Sequence, residues 1–176
     1  MRKQAFLVIL LNLSVGIYAQ NHSNLKPGYK GTVEQSTYIV IEDLNLRDIM
    51  FDLTTSHGYQ ISPYIYTGIG TGAFIAPDLY YVIGIPFFAH IKGTLIDGRV
   101  TPFADLKGGI VLTSQNPMWF IAPAIGYRFG LGKRLGINVG IGYAFYLSGI
   151  CNIKNGHSNL QFDSIHSLNL KFGLDF

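Results

Sequence analysis

The stretch "NGHSNLQFDSIHS" sets His157, Ser158, Asp163, Ser164 and His166 close together in the chain. Hydroxyl, imidazole and carboxylate are the groups from which a nucleophile and its base are assembled. The same run of Asn, Gly, Ser and His is also what surface loops are made of, and its spacing does not set one group to activate another. We read it as part of a long loop, Gly149–Asp163, that also carries Cys151 and Lys154. Cys151 is the one cysteine, so no intramolecular disulfide can form. His57 and His90 fall on different segments and opposite faces, and His22 lies near the N-terminus, so no spacing suggests zinc or iron. No cofactor, no metal and no catalytic residue is expected.

A second set of groups is spaced by twos. Lys30, Glu34, Asp52, His90, Lys92, Asp105, Lys107, Arg128, Lys171 and Asp175 all share a parity with glycines and small polar residues. The opposite parity carries aliphatic and aromatic side chains. Charges gathered on one face and enclosed must pair and hydrogen-bond, because an isolated buried ion is costly. Five basic groups, four acidic groups and His90 are close to balance. The chemistry they suit is mutual neutralisation.

The elements that must carry them read as strands. The closing "SIHSLNLKFGLDF" alternates strictly, with Leu168, Leu170, Phe172, Leu174 and Phe176 on one side and polar or small residues on the other. A period of two marks a strand with one apolar and one polar face. Eight such segments are predicted: Gly28–Val40, Asp48–His57, Gln60–Phe74, Tyr80–Leu95, Val100–Leu112, Met118–Phe129, Leu135–Ser148 and Ser164–Phe176. None shows a helical period. Tight turns are expected at Gly58 and its neighbours, at Ile96–Arg99 with its Asp97-Gly98 pair, and at Leu131–Arg134. Longer connections are expected at Ile41–Arg47, Ile75–Leu79, Thr113–Pro117 and Gly149–Asp163. Short turns at one rim and long loops at the other suit a closed up-and-down barrel.

The first twenty residues, "MRKQAFLVILLNLSVGIYAQ", have a basic start, an apolar run and a small-residue site at Ala19. That three-part layout is a secretory signal, so residues 1–19 are expected to be cleaved and residues 20–27 to form a short exported segment before a barrel over residues 28–176. Without Arg2 and Lys3, the 13 basic residues nearly match the 10 acidic ones. No basic run remains that would suit nucleic acid. Charged residues make up only 13% of the chain, yet no run beyond the signal is long enough for a membrane helix. Apolar content spread in alternation is instead the mark of a membrane-spanning barrel.

In a soluble barrel aliphatics point inward and charges outward. Here the parity is reversed, and the apolar face has no second layer in the chain to cover it. Lipid would supply that layer. Trp119 and Phe129 stand ten strand steps apart, which at a tilt of about 40° is about 25 Å along the membrane normal. With Tyr127, Tyr143, Tyr80 and Tyr81 they would form two aromatic girdles.

The mature chain resembles the small eight-stranded outer-membrane β-barrel proteins of Gram-negative bacteria, the OmpA/OmpX-like superfamily. The stretches that carry this are "GYKGTVE", "TSHGYQISPYIYTGIGTG", "VTPFADLKGGI", "PAIGYRFGLGKRLGINVGIGYAF" and "LNLKFGLDF". The resemblance implies an outer-membrane location, contact with membrane lipid and lipopolysaccharide, and a final strand, through Phe172, Leu174 and Phe176, read by the barrel assembly machinery. It implies a structural or surface-interaction role, with a ligand meeting the outer loops. A narrow porin-like channel for small solutes is the second reading. A lipid-modifying enzyme is the third, because the deacylases among such barrels carry a His-x-Ser-Asn segment; in this chain His157 and Ser158 are adjacent.

Overall fold

The computed structural model describes residues 26–42, 45–77, 82–114, 116–131, 135–154 and 157–176. Alternation resolves into eight strands: β1 (Gly28–Glu42), β2 (Asn45–Ser62), β3 (Ile65–Ala76), β4 (Val82–Thr94), β5 (Val100–Thr113), β6 (Met118–Gly130), β7 (Gly136–Lys154) and β8 (His157–Asp175). Each pairs antiparallel with its chain neighbour, and β1 pairs with β8 to close the barrel. Closure removes both sheet edges, so no row of backbone donors and acceptors is left unpaired at a rim strand. Among the described residues no helix is long and apolar enough to cross a membrane.

The side chains sort by parity as a pleated wall requires. Ile69, Ile83, Trp119, Ile125, Ile141 and Leu170 point outward and are each more than half exposed. Lys, Asp, Glu, Thr and Ser alternate with them and point in. The outer face of the wall is therefore the apolar one.

One turn moves. Gly58 lies inside β2, paired with Gly68 of β3, and the reversal comes later, at Pro63 and Tyr64. Pro63 supplies a pre-set φ for a turn. Thr94 Oγ1 donates to Pro63 O at 2.6 Å, Thr94 N donates to Tyr64 O at 2.8 Å, and Tyr64 N donates to Ser62 Oγ at 3.3 Å. Tyr64, whose parity groups it with Tyr66, is half exposed in this turn, whereas Tyr66 is buried. Gly58 marks a close approach: a Cβ there would stand 2.0 Å from Thr67 O. A glycine inside a strand reports a neighbouring backbone as often as a bend.

The long connection moves too. Residues expected as the loop Gly149–Asp163 continue β7 and β8 as a paired ribbon out to Lys154↔His157. β6 stops pairing with β7 at Ser148, and β1 stops pairing with β8 at Ser167. Beyond those points the two strands pair only with each other among the described residues.

The interior is layered. Toward the end of the barrel that carries this ribbon lies an apolar cluster: Tyr38, Val40, Met50, Phe74, Ala76, Val111, Ala122, Ala144 and Tyr146, with Phe120 and Ile165 packed against it. Its rings touch, Tyr146 lying 5.9 Å from Tyr38, 5.8 Å from Phe74 and 5.7 Å from Phe120 between centroids. Toward the end carrying the short turns lie the charges.

Candidate functional site

Every second residue of each strand reaches the interior, so a charge placed on that parity is delivered into a space that an eight-stranded wall leaves only wide enough for side chains. The structure puts Lys30, Glu34, Asp52, His90, Lys92, Asp105, Lys107, Arg128, Lys171 and Asp175 all inside, each less than 9% exposed. They fall into two groups and one outlier.

The first group spans the lumen. Lys107 of β5 places Nζ 2.6 Å from Glu34 Oε2 on β1, which lies across the barrel. Lys171 of β8 stands 2.7 Å from Asp105 Oδ2 on β5 and 3.6 Å from Glu34 Oε2. His90 Nε2 is 3.6 Å from Asp105 Oδ2, and its Nδ1 is 2.9 Å from Ser56 Oγ. Ser56 continues the chain to Thr32 at 2.7 Å and to the Tyr66 hydroxyl at 3.3 Å. Lys107 also donates to Thr54 Oγ1 at 3.1 Å and lies 5.0 Å from the centre of the Phe88 ring. Pairs that join opposite walls act as struts and fill the bore between them.

The second group gathers on Asp175. Arg128 Nε donates to Oδ2 at 2.8 Å and Lys30 Nζ lies 2.9 Å from the same oxygen. Lys92 Nζ lies 3.6 Å from Oδ1, and Asn138 Nδ2 donates to Oδ1 at 2.5 Å. Lys92 stands 4.4 Å over the Phe103 ring, a favourable place for a cation short of carboxylates. The outlier is Asp52. It makes no ion pair among the described residues and accepts instead from Tyr38 hydroxyl at 2.6 Å and Ser36 N at 3.1 Å. It sits where the charged layer meets the aromatic one.

Glu34, His90 and Asp105 offer ligand atoms within 4.8 Å of one another, a set of the right kind for a divalent cation. Two ammonium groups already stand against its carboxylates, Lys107 on Glu34 and Lys171 on Asp105. A metal would have to displace both, so the arrangement is better suited to ion pairing.

Trp119, Tyr127, Phe129 and Tyr143 lie on the outer face, Trp119 toward the ribbon end and Phe129 toward the short-turn end. Tyr80 and Tyr81 lie outside the described residues. Phe172, Leu174 and Phe176 also face outward. Phe176 exchanges two backbone hydrogen bonds with Gly31, at 2.8 and 2.9 Å, and its ring occupies the space a Cβ on Gly31 would need. Next to it, Tyr29 hydroxyl and His57 Nδ1 are 2.6 Å apart, and Thr55 Oγ1 reaches His57 Nε2 at 3.1 Å. His57 is thus outside the wall and His90 inside.

Of the hydroxyl–imidazole stretch, the described side chains are those of Asp163, Ser164 and His166. His166 faces outward and bonds Tyr143 hydroxyl, while Asp163 and Ser164 are exposed. The side chains of Cys151, Lys154, His157 and Ser158 lie outside those described.

What parity reasoning missed is the aromatic layer. The signal for it was present in the sequence. Large apolar residues occupy inward positions late in β1, β3, β5 and β7 (Tyr38, Phe74, Val111, Tyr146) and early in β2 and β6 (Met50, Phe120). In strands that alternate in direction, late and early mean the same end.

No protein-family model matches the chain, and no curated protein matches it either. Solved structures do match in fold. Neisserial surface protein A (NspA) is 12% identical over 85% of this chain and 97% of its own, with a TM-score of 0.63. The outer membrane protein OprG from Pseudomonas aeruginosa is 10% identical over 89% and 99%, with a TM-score of 0.54. The outer membrane protein AlkL, solved in lipid bilayers, is 14% identical over 90% and 93%, with a TM-score of 0.53. At such identities the likeness shows the fold, a closed eight-stranded antiparallel barrel similar to outer-membrane barrels.

Proposed function

We propose that this protein is a small integral outer-membrane barrel of a Gram-negative bacterium with a structural or surface-interaction role and no catalytic one. The reading rests on one observation: an apolar outer wall around an interior of paired charges. Water cannot favour that arrangement, since it leaves aliphatic rows exposed while desolvating ions. Hydrocarbon on the outside solvates the aliphatic rows and leaves the interior, where the ions pair with one another, as the better place for charge. Residues 1–19 act as a cleaved signal, the short turns face the periplasm, and the β7–β8 ribbon projects from the cell to meet lipopolysaccharide or a surface ligand. Phe172, Leu174 and Phe176 present the final strand to the assembly machinery.

Trp119 makes the test direct, because it is the one tryptophan and is well exposed on the outer face. In vesicles whose acyl chains carry bromine, its fluorescence should be strongly quenched relative to unbrominated lipid. Fluorescence unchanged by bromine, with the protein recovered free of the vesicles, would sink the reading.

A second reading has an observation of its own. Buried polar atoms in the charged layer, among them Glu34 Oε1, Asp105 Oδ1 and Asn169 Oδ1, have no hydrogen-bond partner among the described residues. Such groups favour hydration, and a hydrated strip would suit a narrow path for small solutes. Planar-bilayer recordings separate the two. A sealed barrel gives no steps; a pore gives steps that change when Arg128 or Lys92 is neutralised.

A further inference from the structure

The two charged groups are not equally balanced. Around Glu34 and Asp105 stand Lys107 and Lys171, two anions to two cations. Around Asp175 stand Lys30, Lys92 and Arg128, three cations to one anion. Among the described residues no second acidic side chain pairs with these three cations. Asp97, in the turn between β4 and β5, makes no ion pair among the described residues, and the segments 20–25 and 132–134 contain no acidic residue.

The donors of this group are also unspent. Arg128 is fully buried, yet only its Nε is engaged; Nη1 and Nη2 meet no acceptor among the described residues. Lys92 Nζ likewise has none within hydrogen-bond distance. Neither does Thr101 Oγ1, whose residue is paired in register with Arg128 and fully buried. Excess positive charge and unused N–H and O–H groups at one place describe a receptor for negative charge. Charge-assisted hydrogen bonds to an anion are the strong kind, and a guanidinium fork suits an oxyanion.

We propose that Lys30, Lys92, Arg128 and Thr101, gathered about Asp175, form a binding site for a small inorganic anion at the short-turn mouth of the barrel. The group lies toward that mouth. Lys30 is near the start of β1, Asp175 ends β8, Arg128 lies near the end of β6, and Thr101 near the start of β5. The anion supplies negative charge that the described side chains do not, and Asp175 competes with it for the same cations. The site is a matter of charge inside the barrel and does not depend on what the outer wall meets.

The test is 35Cl line broadening with the folded barrel in neutral detergent, titrating sodium chloride at constant ionic strength against sodium gluconate. Wild type should broaden the chloride signal saturably. Arg128→Met should abolish saturation or weaken it at least tenfold. Asp175→Asn, which removes the competing carboxylate, should tighten binding by about tenfold. If Arg128→Met does not fold, Lys92→Met takes its place with the same expectation. Inorganic phosphate in a second titration displaces chloride if the fork selects oxyanions and fails to displace it if only a halide fits. No saturable broadening by wild type, or broadening that Asp175→Asn leaves unchanged, overturns the proposal.

Discussion

Asp175 takes contacts from Lys30, Lys92, Arg128 and Asn138 at once, while Asp52 takes only a hydroxyl and a backbone N–H. The two carboxylates are both buried, so the same isosteric change separates their roles. Asp175→Asn leaves three cations facing one another without their counter-charge, and uncompensated buried charge costs about 3–5 kcal/mol. Asp52→Asn keeps one acceptor oxygen, for Ser36 N, and turns the other into an amide N–H that can donate to the Tyr38 oxygen in place of the present bond. It strands no cation, so its cost should be about 1 kcal/mol. Urea unfolding of the barrel refolded in detergent measures both. Equal losses would show that Asp175 is not the centre of its group. Chloride should restore part of the Asp175→Asn loss if an anion can take the carboxylate's place.

Adjacent glycines in β5 show what a strand demands of single positions. A Cβ on Gly109 would stand 2.0 Å from Phe87 O, against the backbone of β4, whereas a Cβ on Gly108 meets nothing closer than 3.9 Å. Gly109→Val should therefore push β4 and β5 apart, at a cost of about 1–3 kcal/mol or more. Gly108→Val should be nearly silent, since it adds an apolar group to the apolar side. Tolerance of valine at Gly109 with a loss at Gly108 would invert the assigned faces of β5. The ribbon of β7 and β8 makes a second case. Beyond Ser148 and Ser167 it has no further sheet neighbour among the described residues, and two strands alone are marginal. Replacing residues 150–162 with Asn-Gly should leave barrel stability within about 0.5 kcal/mol, while abolishing any ligand contact the ribbon makes.

For the whole molecule, closure is what turns eight marginal strands into one cooperative object. The β1–β8 seam ends where Phe176 lies over Gly31. Folded barrels held by such closure resist detergent, so unheated protein should migrate differently from boiled protein on a denaturing gel; a single band at the boiled position would count against a closed barrel. Phe176→Ala keeps the two backbone bonds to Gly31 and removes the ring. If the ring serves only the seam, refolding in detergent and assembly in cells should suffer alike. If it is read by the assembly machinery, membrane insertion in cells should fall several-fold while detergent refolding stays near wild type.

Much of this was legible before any coordinates. A period of two needs only the local chain, so alternation alone sorted Ile125 from Arg128 and Leu170 from Lys171, and eight repeats of it implied a closed wall. The expected alternation of turn lengths did not hold, since Ile41, Glu42, Asn45 and Leu46 pair as strand where a long connection was expected. Local pattern misled where a residue answered to a neighbour far away in sequence. Gly58 looked like a turn because the backbone of β3 that excludes its Cβ is not visible from "SHGYQ". Residues 149–163 looked like a loop because Asn, Gly and Ser weaken strand propensity, while pairing with a second strand can override it. Partners across the lumen were beyond reach altogether. Parity says that Glu34, Asp52 and Lys107 face inward, but only the stagger of the closed sheet sets Lys107 against Glu34 and leaves Asp52 to Tyr38. The sequence by itself determined which side of the wall each group occupies, because that depends on pleat alone. Height along the axis and the choice of partner, and with them the uneven charge around Asp175, were decided only when the strands locked into register.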